Sequence, residues 1–222
     1  DALARFHRQN GYATHFLTGT DEHGQKIAKA AADARKTPKA FVDELAPQFQ
    51  DAWERLSISY DYFHRTTEPR HELAVQELFV RLRDARSPKT GEPVLFEESY
   101  EGLYCEGCEA FKQEEDLTPD GRCPEHLTIP KRIKETNFFF RLSEYDDALT
   151  RHIESHPEFI QPDYRRNEVV AFIKRGLRDQ SFSRPNLEWG IPLPDEIADG
   201  EGHVAYVWSD ALLNYLSALG WP

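Results

Sequence analysis

Hydrophobic positions recur at helical spacing through most of the first 85 residues. Leu3, Phe6 and His7 fall on one side of a segment that reads as the end of a helix, and Gly11 stops it. Tyr12 to Leu17 is a short β-like run, and Thr18-Gly19-Thr20-Asp21 follows as a turn. From Glu22 to about Lys36 the stripe Ile27, Ala28, Ala31 and Ala32 predicts a helix. Pro38 suits the first position of another helix over 38–56, in which Phe41, Leu45, Phe49, Trp53 and Leu56 recur at helical spacing. A further helix is expected from about Pro69 to Ala85. Strand, ligand-like turn, helix, helix is the order of a doubly wound α/β domain.

Around Ser87 the texture changes. Pro88, Gly91 and Pro93 break the helical pattern, and alternating residues with all three cysteines follow to about Glu125. Asn137-Phe138-Phe139-Phe140 reads as a buried strand, and 143–156 and 163–176 as helices. The stretch 181–202 is rich in Pro and Gly, His203 to Val207 is strand-like, and Trp208 to Ala218 is helical. The pattern divides into one α/β half, an insertion, and the start of a second half.

Composition narrows the class. A hydrophobic content of 39% with 12% aromatics supports a packed core, and 30% charged residues give a well-solvated surface. No apolar run approaches the roughly 18 residues of a membrane span, and no signal or transit pattern stands at the N-terminus. The net charge of −12 argues against a protein that coats nucleic acid non-specifically. Lys131-Arg132-Ile133-Lys134 and Tyr164-Arg165-Arg166 are the candidate basic patches, and each reads more simply as a solvated face. Methionine is absent.

The cysteines carry the first chemistry. Cys105-x-x-Cys108 and Cys123-x-x-His126 stand 14 residues apart. Zinc takes four N or S ligands in a tetrahedron, and a two-residue gap lets both donors of a knuckle reach one ion. Three cysteines cannot all pair as disulfides, and His126 completes a set of four. The alternative, three unrelated thiols beside a surface histidine, must explain two matching spacings at once. Four protein ligands close the shell, so the expected Zn²⁺ is structural, with no open position to activate water.

Four stretches carry a family resemblance. Thr18-Gly19-Thr20-Asp21-Glu22-His23-Gly24 resembles the motif after an early strand of the methionyl-tRNA synthetases, class I enzymes that join methionine to its tRNA. Tyr100-Glu101-Gly102-Leu103-Tyr104-Cys105 resembles the entry to that family's zinc knuckle. Ser183-Arg184-Pro185, followed by Trp189-Gly190-Ile191-Pro192, resembles the return from its connective insertion. Tyr206 through Tyr215, in the run YVWSDALLNY, resembles the element closing its amino-acid pocket. The resemblance covers essentially the whole chain in the family's order. It implies an α/β, Rossmann-like class I synthetase catalytic domain interrupted by a zinc-binding connective insertion. Residues 1–86 would be its first half without the N-terminal part. Residues 87–200 would be the insertion, with the knuckle at 100–130, and 201–222 the start of the second half.

The residues themselves leave alternatives open. Asp21, just past a strand, stands where α/β sheets bind ligands and could pair with a substrate ammonium; by spacing alone a cap on the next helix is the leading reading. The resemblance implies the first role, holding the methionine α-ammonium, with His23 and Gly24 on the nucleotide side. Trp208, Ala211, Leu212 and Tyr215 share a helix face, which could be a core stripe or an aromatic cradle for a thioether. The resemblance implies the methionine pocket, although Leu212 stands where some members have Pro. Arg184, biased to extended backbone by Pro185, reads alone as a surface residue. By resemblance it lies near the adenylate and stabilises charge in the transition state.

The implied substrates are methionine, ATP with Mg²⁺, and initiator and elongator methionine tRNA; the implied compartment is the cytoplasm, with an organellar form and the oligomeric state left open. A His-x-Gly-His motif, a Lys-x-Ser-Lys loop and an anticodon-binding helical domain, which the family uses, do not occur in these 222 residues. The expectation is that this stretch alone is a poor enzyme or none. Competing readings are another class I synthetase, for leucine, isoleucine, valine or cysteine, and a non-catalytic zinc-knuckle RNA-binding module.

Overall fold

A computed structural model describes residues 1–222 apart from Glu109, Asn186 and Glu201, and describes only the backbone of Tyr100. The expected third segment therefore opens on a residue outside the described set, and the knuckle's entry motif lacks its first side chain.

The N-terminal region is built around two parallel strands. Helix α1 (Ala2–Gln9) leads to β1 (Leu17–Thr20), then α2 (Gln25–Asp33), α3 (Pro38–Arg55), β2 (Tyr62–Arg65) and α4 (Pro69–Asp84). β1 and β2 run parallel in register from Leu17↔Tyr62 to Thr20↔Arg65. Parallel pairing needs a crossover, which α2 and α3 supply. Local chemistry sets the helix starts. Thr37 accepts from Ala40 N at 3.3 Å, and Pro38 and Pro69 occupy first-turn positions where their missing N–H costs nothing. The strand expected at Tyr12–Leu17 lies further on: Thr18–Thr20, expected as turn, are strand, and the turn begins at Asp21. The reason is the partner. β2, which the pattern did not predict, pairs with residues 17–20 and fixes the strand there.

The middle of the chain is an antiparallel sheet. β3 (Leu95–Cys105), β4 (Ala110–Lys112), β5 (Lys131–Phe140) and β6 (Gln180–Ser181) lie in the order β4-β3-β5-β6. β3 and β5 pair continuously from Leu95↔Phe140 to Tyr104↔Lys131. The predicted strand Asn137–Phe140 is thus the inner end of a ten-residue strand, whose charged outer half Lys131–Glu135 runs out beside the cysteines. Helices α5 (Asp146–Ser155) and α6 (Asp163–Lys174) follow, close to expectation.

The returning chain forms β7 (Ser183–Arg184), α7 (Asp195–Ala198), β8 (Val204–Ala205), α8 (Val207–Ala211) and α9 (Asn214–Ser217). Trp208–Ala218 is therefore two short helices with a break between Ala211 and Asn214. The main core joins this return to the first region: Ala74, Val75 and Phe79 of α4 pack with Leu95, Ile191, Leu193, Ala198, Ala205 and Leu213. That packing sets the loop after β1 against the 207–217 segment. No helix among the described residues is long and apolar enough to cross a membrane.

Candidate active site and metal centre

The metal centre follows from the β3–β5 hairpin. Cys105 ends β3, Cys108 lies in the next turn, and Cys123 and His126 precede β5, so pairing of Tyr104 with Lys131 closes the two knuckles on each other. The four donor atoms all lie within 4.8 Å of one another, and Cys105 and Cys123 are buried. Cys108 Sγ is 3.5 Å from Cys123 Sγ and 3.3 Å from His126 Nδ1. Donors at about 2.3 Å from a tetrahedral ion would stand roughly 3.8 Å apart, so the set fits a metal ion. Gly107 makes room for the histidine: a Cβ there would fall 2.4 Å from the His126 ring. Burial and the neighbouring thiols push the Cys108 thiol up to about 12. At Cys123 burial works the same way, but the His126 hydrogen bond and adjacent backbone N–H groups outweigh it and draw the thiol down to about 6. Sulfurs this crowded cannot all ionise unless a cation shares their charge.

The second site lies at the carboxyl end of β1. Asp21 is exposed; Glu22, His23 and Gly24 are buried. Asp21 does not cap the following helix, because the cap position of α2 is Gly24, whose φ of 104° suits glycine. Glu22 fixes the loop from within. It accepts from Arg65 Nε at 2.7 Å and Nη2 at 2.9 Å and from the Thr20 and Thr67 hydroxyls, while its own N–H donates to Thr66 Oγ1 at 2.9 Å. The Glu22 carboxylate, with Asp43 beside it, holds the Arg65 guanidinium above its usual pKa. Trp189, from the returning chain, brackets the loop: its Nε1 donates to Glu22 O at 2.6 Å and its carbonyl accepts from Gly24 N at 3.2 Å.

Two clefts flank this loop. One, of about 240 Å³, is lined by Asp21, Gly19, His64, Ala211, Asn214 and Tyr215 among others. Asp21, Ala211 and Tyr215 are thus brought together, while Trp208 and Leu212, 55% and 58% exposed, lie outside its lining. The other, of about 180 Å³, is lined by Gly24, Tyr104, Lys131, Glu135, Arg184 and Tyr206 among others. His23 lines neither cleft. Its ring is buried against Trp189, with centroids 5.1 Å apart, and its Nδ1 donates to Asp210 at 2.7 Å.

Arg184 departs furthest from its sequence reading. It is 6% exposed. Its guanidinium carbon sits 4.3 Å from the Tyr206 ring centroid, 5.1 Å from Phe111 and 5.5 Å from Tyr104. Nη1 donates to Ser181 Oγ at 2.7 Å and to Ser183 O at 3.2 Å, and the Asn137 carboxamide, turned to satisfy both its ends, accepts from Nη1 at 3.1 Å. Nε has no partner, and no carboxylate among the described residues pairs with the side chain. Among the described residues the guanidinium is held by rings and neutral acceptors, and the Glu135 carboxylate lines the same cleft. Sequence reasoning missed Asn137, Glu22, Trp189 and Asp210 as supports, since each acts through contacts distant along the chain.

An α/β fold with a parallel β1–β2 pair, a polar loop at its carboxyl end and a Cys₃His cluster agrees with the class I tRNA synthetase fold. The family model of tRNA synthetases class I (M) matches residues 1–132 and 126–221, and the chain belongs to that family. It is 49% identical over 221 residues to the methionine–tRNA ligase of Thermosynechococcus vestitus, covering 99% of this chain and 40% of that protein. To the methionine–tRNA ligase of Thermotoga maritima it is 43% identical, covering 100% and 34%. Mycobacterium tuberculosis methionyl-tRNA synthetase in complex with methionyl-adenylate superposes with a TM-score of 0.87 at 41% identity, covering 100% of this chain and 42% of that one. The apo form of the same synthetase gives 0.74. The chain therefore spans about two-fifths or less of the length of these relatives.

Proposed function

We propose that the protein carrying this chain is a methionine–tRNA ligase, and that these residues supply part of its methionine pocket. The observation that carries the reading is the shared cleft: Asp21, at the carboxyl end of β1, faces the same space as Ala211 and Tyr215. In this reading Asp21 pairs with the α-ammonium of methionine and Ala211 and Tyr215 wall the thioether, while Trp208 and Leu212, exposed outside the cleft, would complete the cradle only by turning inward. The methionine carboxylate attacks the α-phosphorus of ATP, with Mg²⁺ accompanying the nucleotide; the bond to pyrophosphate breaks, and methionyl-adenylate forms. The methionyl group then passes to a hydroxyl of the terminal ribose of initiator or elongator methionine tRNA, its bond to phosphate breaks, and AMP leaves. Arg184, a buried guanidinium without a carboxylate partner, stabilises negative charge gathering on the transferring phosphate. Gly24 lets the backbone approach the nucleotide, and His23 holds that loop from behind.

Cys105, Cys108, Cys123 and His126 would hold one Zn²⁺, which closes the hairpin and takes no part in the chemical step. The division into a first catalytic half over 1–86, a connective insertion over 87–200 and the start of a second half from 201 belongs to the same reading. Methionine-dependent ATP–pyrophosphate exchange by the full-length protein tests it, with leucine, isoleucine, valine and cysteine as competitors. Asp21→Ala is expected to lower kcat/KM for methionine by roughly 10²–10³, since a desolvated ammonium loses its charged partner. Exchange driven equally by another amino acid, or an Asp21→Ala enzyme within about twofold of the parent, overturns the reading.

A further inference from the structure

One buried carboxylate joins the two walls of the Asp21 cleft and has no part in the chemistry above. Asp210, on α8, is 1% exposed. Its Oδ2 lies 2.7 Å from Nδ1 of His23 and its Oδ1 2.7 Å from Nε2 of His71 on α4. Burial works to raise the Asp210 pKa, but the two histidine hydrogen bonds outweigh it and hold the carboxyl below its usual range. A carboxylate only accepts, so His23 must present Nδ1–H and His71 must present Nε2–H. The far nitrogen of His71 faces Ser217 Oγ on α9 at 2.8 Å and His64 Nε2 on β2 at 3.1 Å. One continuous chain of hydrogen bonds therefore runs through the loop after β1, β2, α4, α8 and α9.

Its place relative to the cleft is specific. His23 is two residues beyond Asp21, and Ala211 directly follows Asp210. Tyr215 lies between Asp210 and Ser217, so the stretch bearing both wall residues is anchored at each end. A buried ionic cluster is weak evidence of a role in stability, because apolar packing of similar volume often holds a fold as well. Such a cluster does fix direction and separation, since each bond has its own geometry.

We infer that Asp210 is a positioning residue for methionine recognition: holding His23 with one oxygen and His71 with the other, it sets the distance between Asp21 and the wall formed by Ala211 and Tyr215. This rests on the methionine reading above. The test is exchange kinetics of the full-length protein with methionine and ATP varied separately. Asp210→Ala is expected to raise KM for methionine about tenfold or more and KM for ATP, reached only through His23 and the Gly24 loop, by a clearly smaller factor, because sub-ångström misplacement acts first on the pocket it spans. Asp210→Asn, which keeps the shape and one acceptor, is expected to recover most of the loss. Where Asp210→Ala does not fold, the pair His71→Leu and His71→Gln gives the same readout, since a glutamine amide can donate from near the Nε2 position. KM values for methionine and ATP rising together, Asn no better than Ala, or methionine KM unchanged each overturn the inference while leaving the methionine reading standing. No methionine-dependent exchange by the unsubstituted protein overturns the reading, and the inference with it.

Discussion

The metal centre and the Asp21 cleft are both built from polar side chains, but they are held together in opposite ways. The four metal-site donors come from 22 consecutive residues, 105–126, and are gathered by one hairpin and its turns. The walls of the cleft come from opposite ends of the chain: His23 and Asp210 are 187 residues apart, Glu22 and Trp189 are 167 apart. A cation can organise the first site whatever the rest of the fold does. The second exists only once β1, β2, α4 and the returning chain are in place. The two should therefore fail separately, the first by losing its ion and the second by losing any of several buried hydrogen bonds.

Metal removal probes this contrast with the largest expected effect. Binding of a structural zinc ion contributes roughly 10–16 kcal/mol in small domains. Protein purified without added metal should carry one zinc per chain, and Cys123→Ser should lose it. Hydrogen exchange should then accelerate across 100–130 while amides of β1 and α4 keep their protection. Protection lost equally in both regions would show that the sites are one cooperative unit, and a metal-free chain with full protection at 100–130 would remove the metal from the account.

The same contrast decides what could be read from the sequence. The knuckle spacings were legible because both ends of each lie within one turn. The helices were legible wherever Pro38 or Pro69 marked a start and apolar residues repeated on one face. β2 escaped notice because its sequence, Tyr62-Phe63-His64-Arg65, looks half polar, yet His64 is 2% exposed and turned inward to His71. Missing β2 displaced β1, since a strand's extent is set by its partner. Asp21 and Tyr215 drew a site reading only through resemblance to a family, and chain spacing alone favoured a cap and a core stripe. Arg184 looked like a surface residue because nothing near it in sequence announces Tyr104, Phe111 and Tyr206 around it. Long-range buried polar contacts have no local signature.

Acid should affect the cleft through one of those contacts. Burial, and then the adjacent His71, push His64 down to about 4, against partial support from Glu68 and Asp210 and further opposition from Arg70. The unfolded chain takes up this proton near its ordinary pKa of about 6.5, whereas the folded chain resists until about pH 4. The contribution is absent above about pH 6.5, and stability falls as pH drops through the window from there to about 4, by at most about 3 kcal/mol. His64→Gln, whose amide can still donate to His71, should remove that part of the acid loss in denaturant unfolding curves taken at pH 7 and pH 4.5. Identical acid losses in both proteins would mean that His64 does not govern the first region's acid sensitivity.

The smallest effect tests a contact made to the Asp21 loop by the chain returning from the insertion. Trp189 lies on the chain returning from the insertion, yet its indole N–H reaches back to Glu22 O and its carbonyl takes Gly24 N–H. Trp189→Phe keeps an aromatic ring beside His23 and the backbone bond, and removes only the indole donor. Loss of one hydrogen bond costs a net of about 0.5–1.5 kcal/mol. If that bond holds the loop in its substrate-binding form, KM for methionine should rise by about three- to tenfold, with bound zinc unchanged. An unchanged KM would mean that the Glu22 contacts with Arg65, Thr66 and Thr67 suffice to place Asp21, leaving the insertion mechanically separate from the pocket. A loss of zinc in Trp189→Phe would be the more damaging outcome, because the metal centre would then depend on the same long-range packing as the cleft.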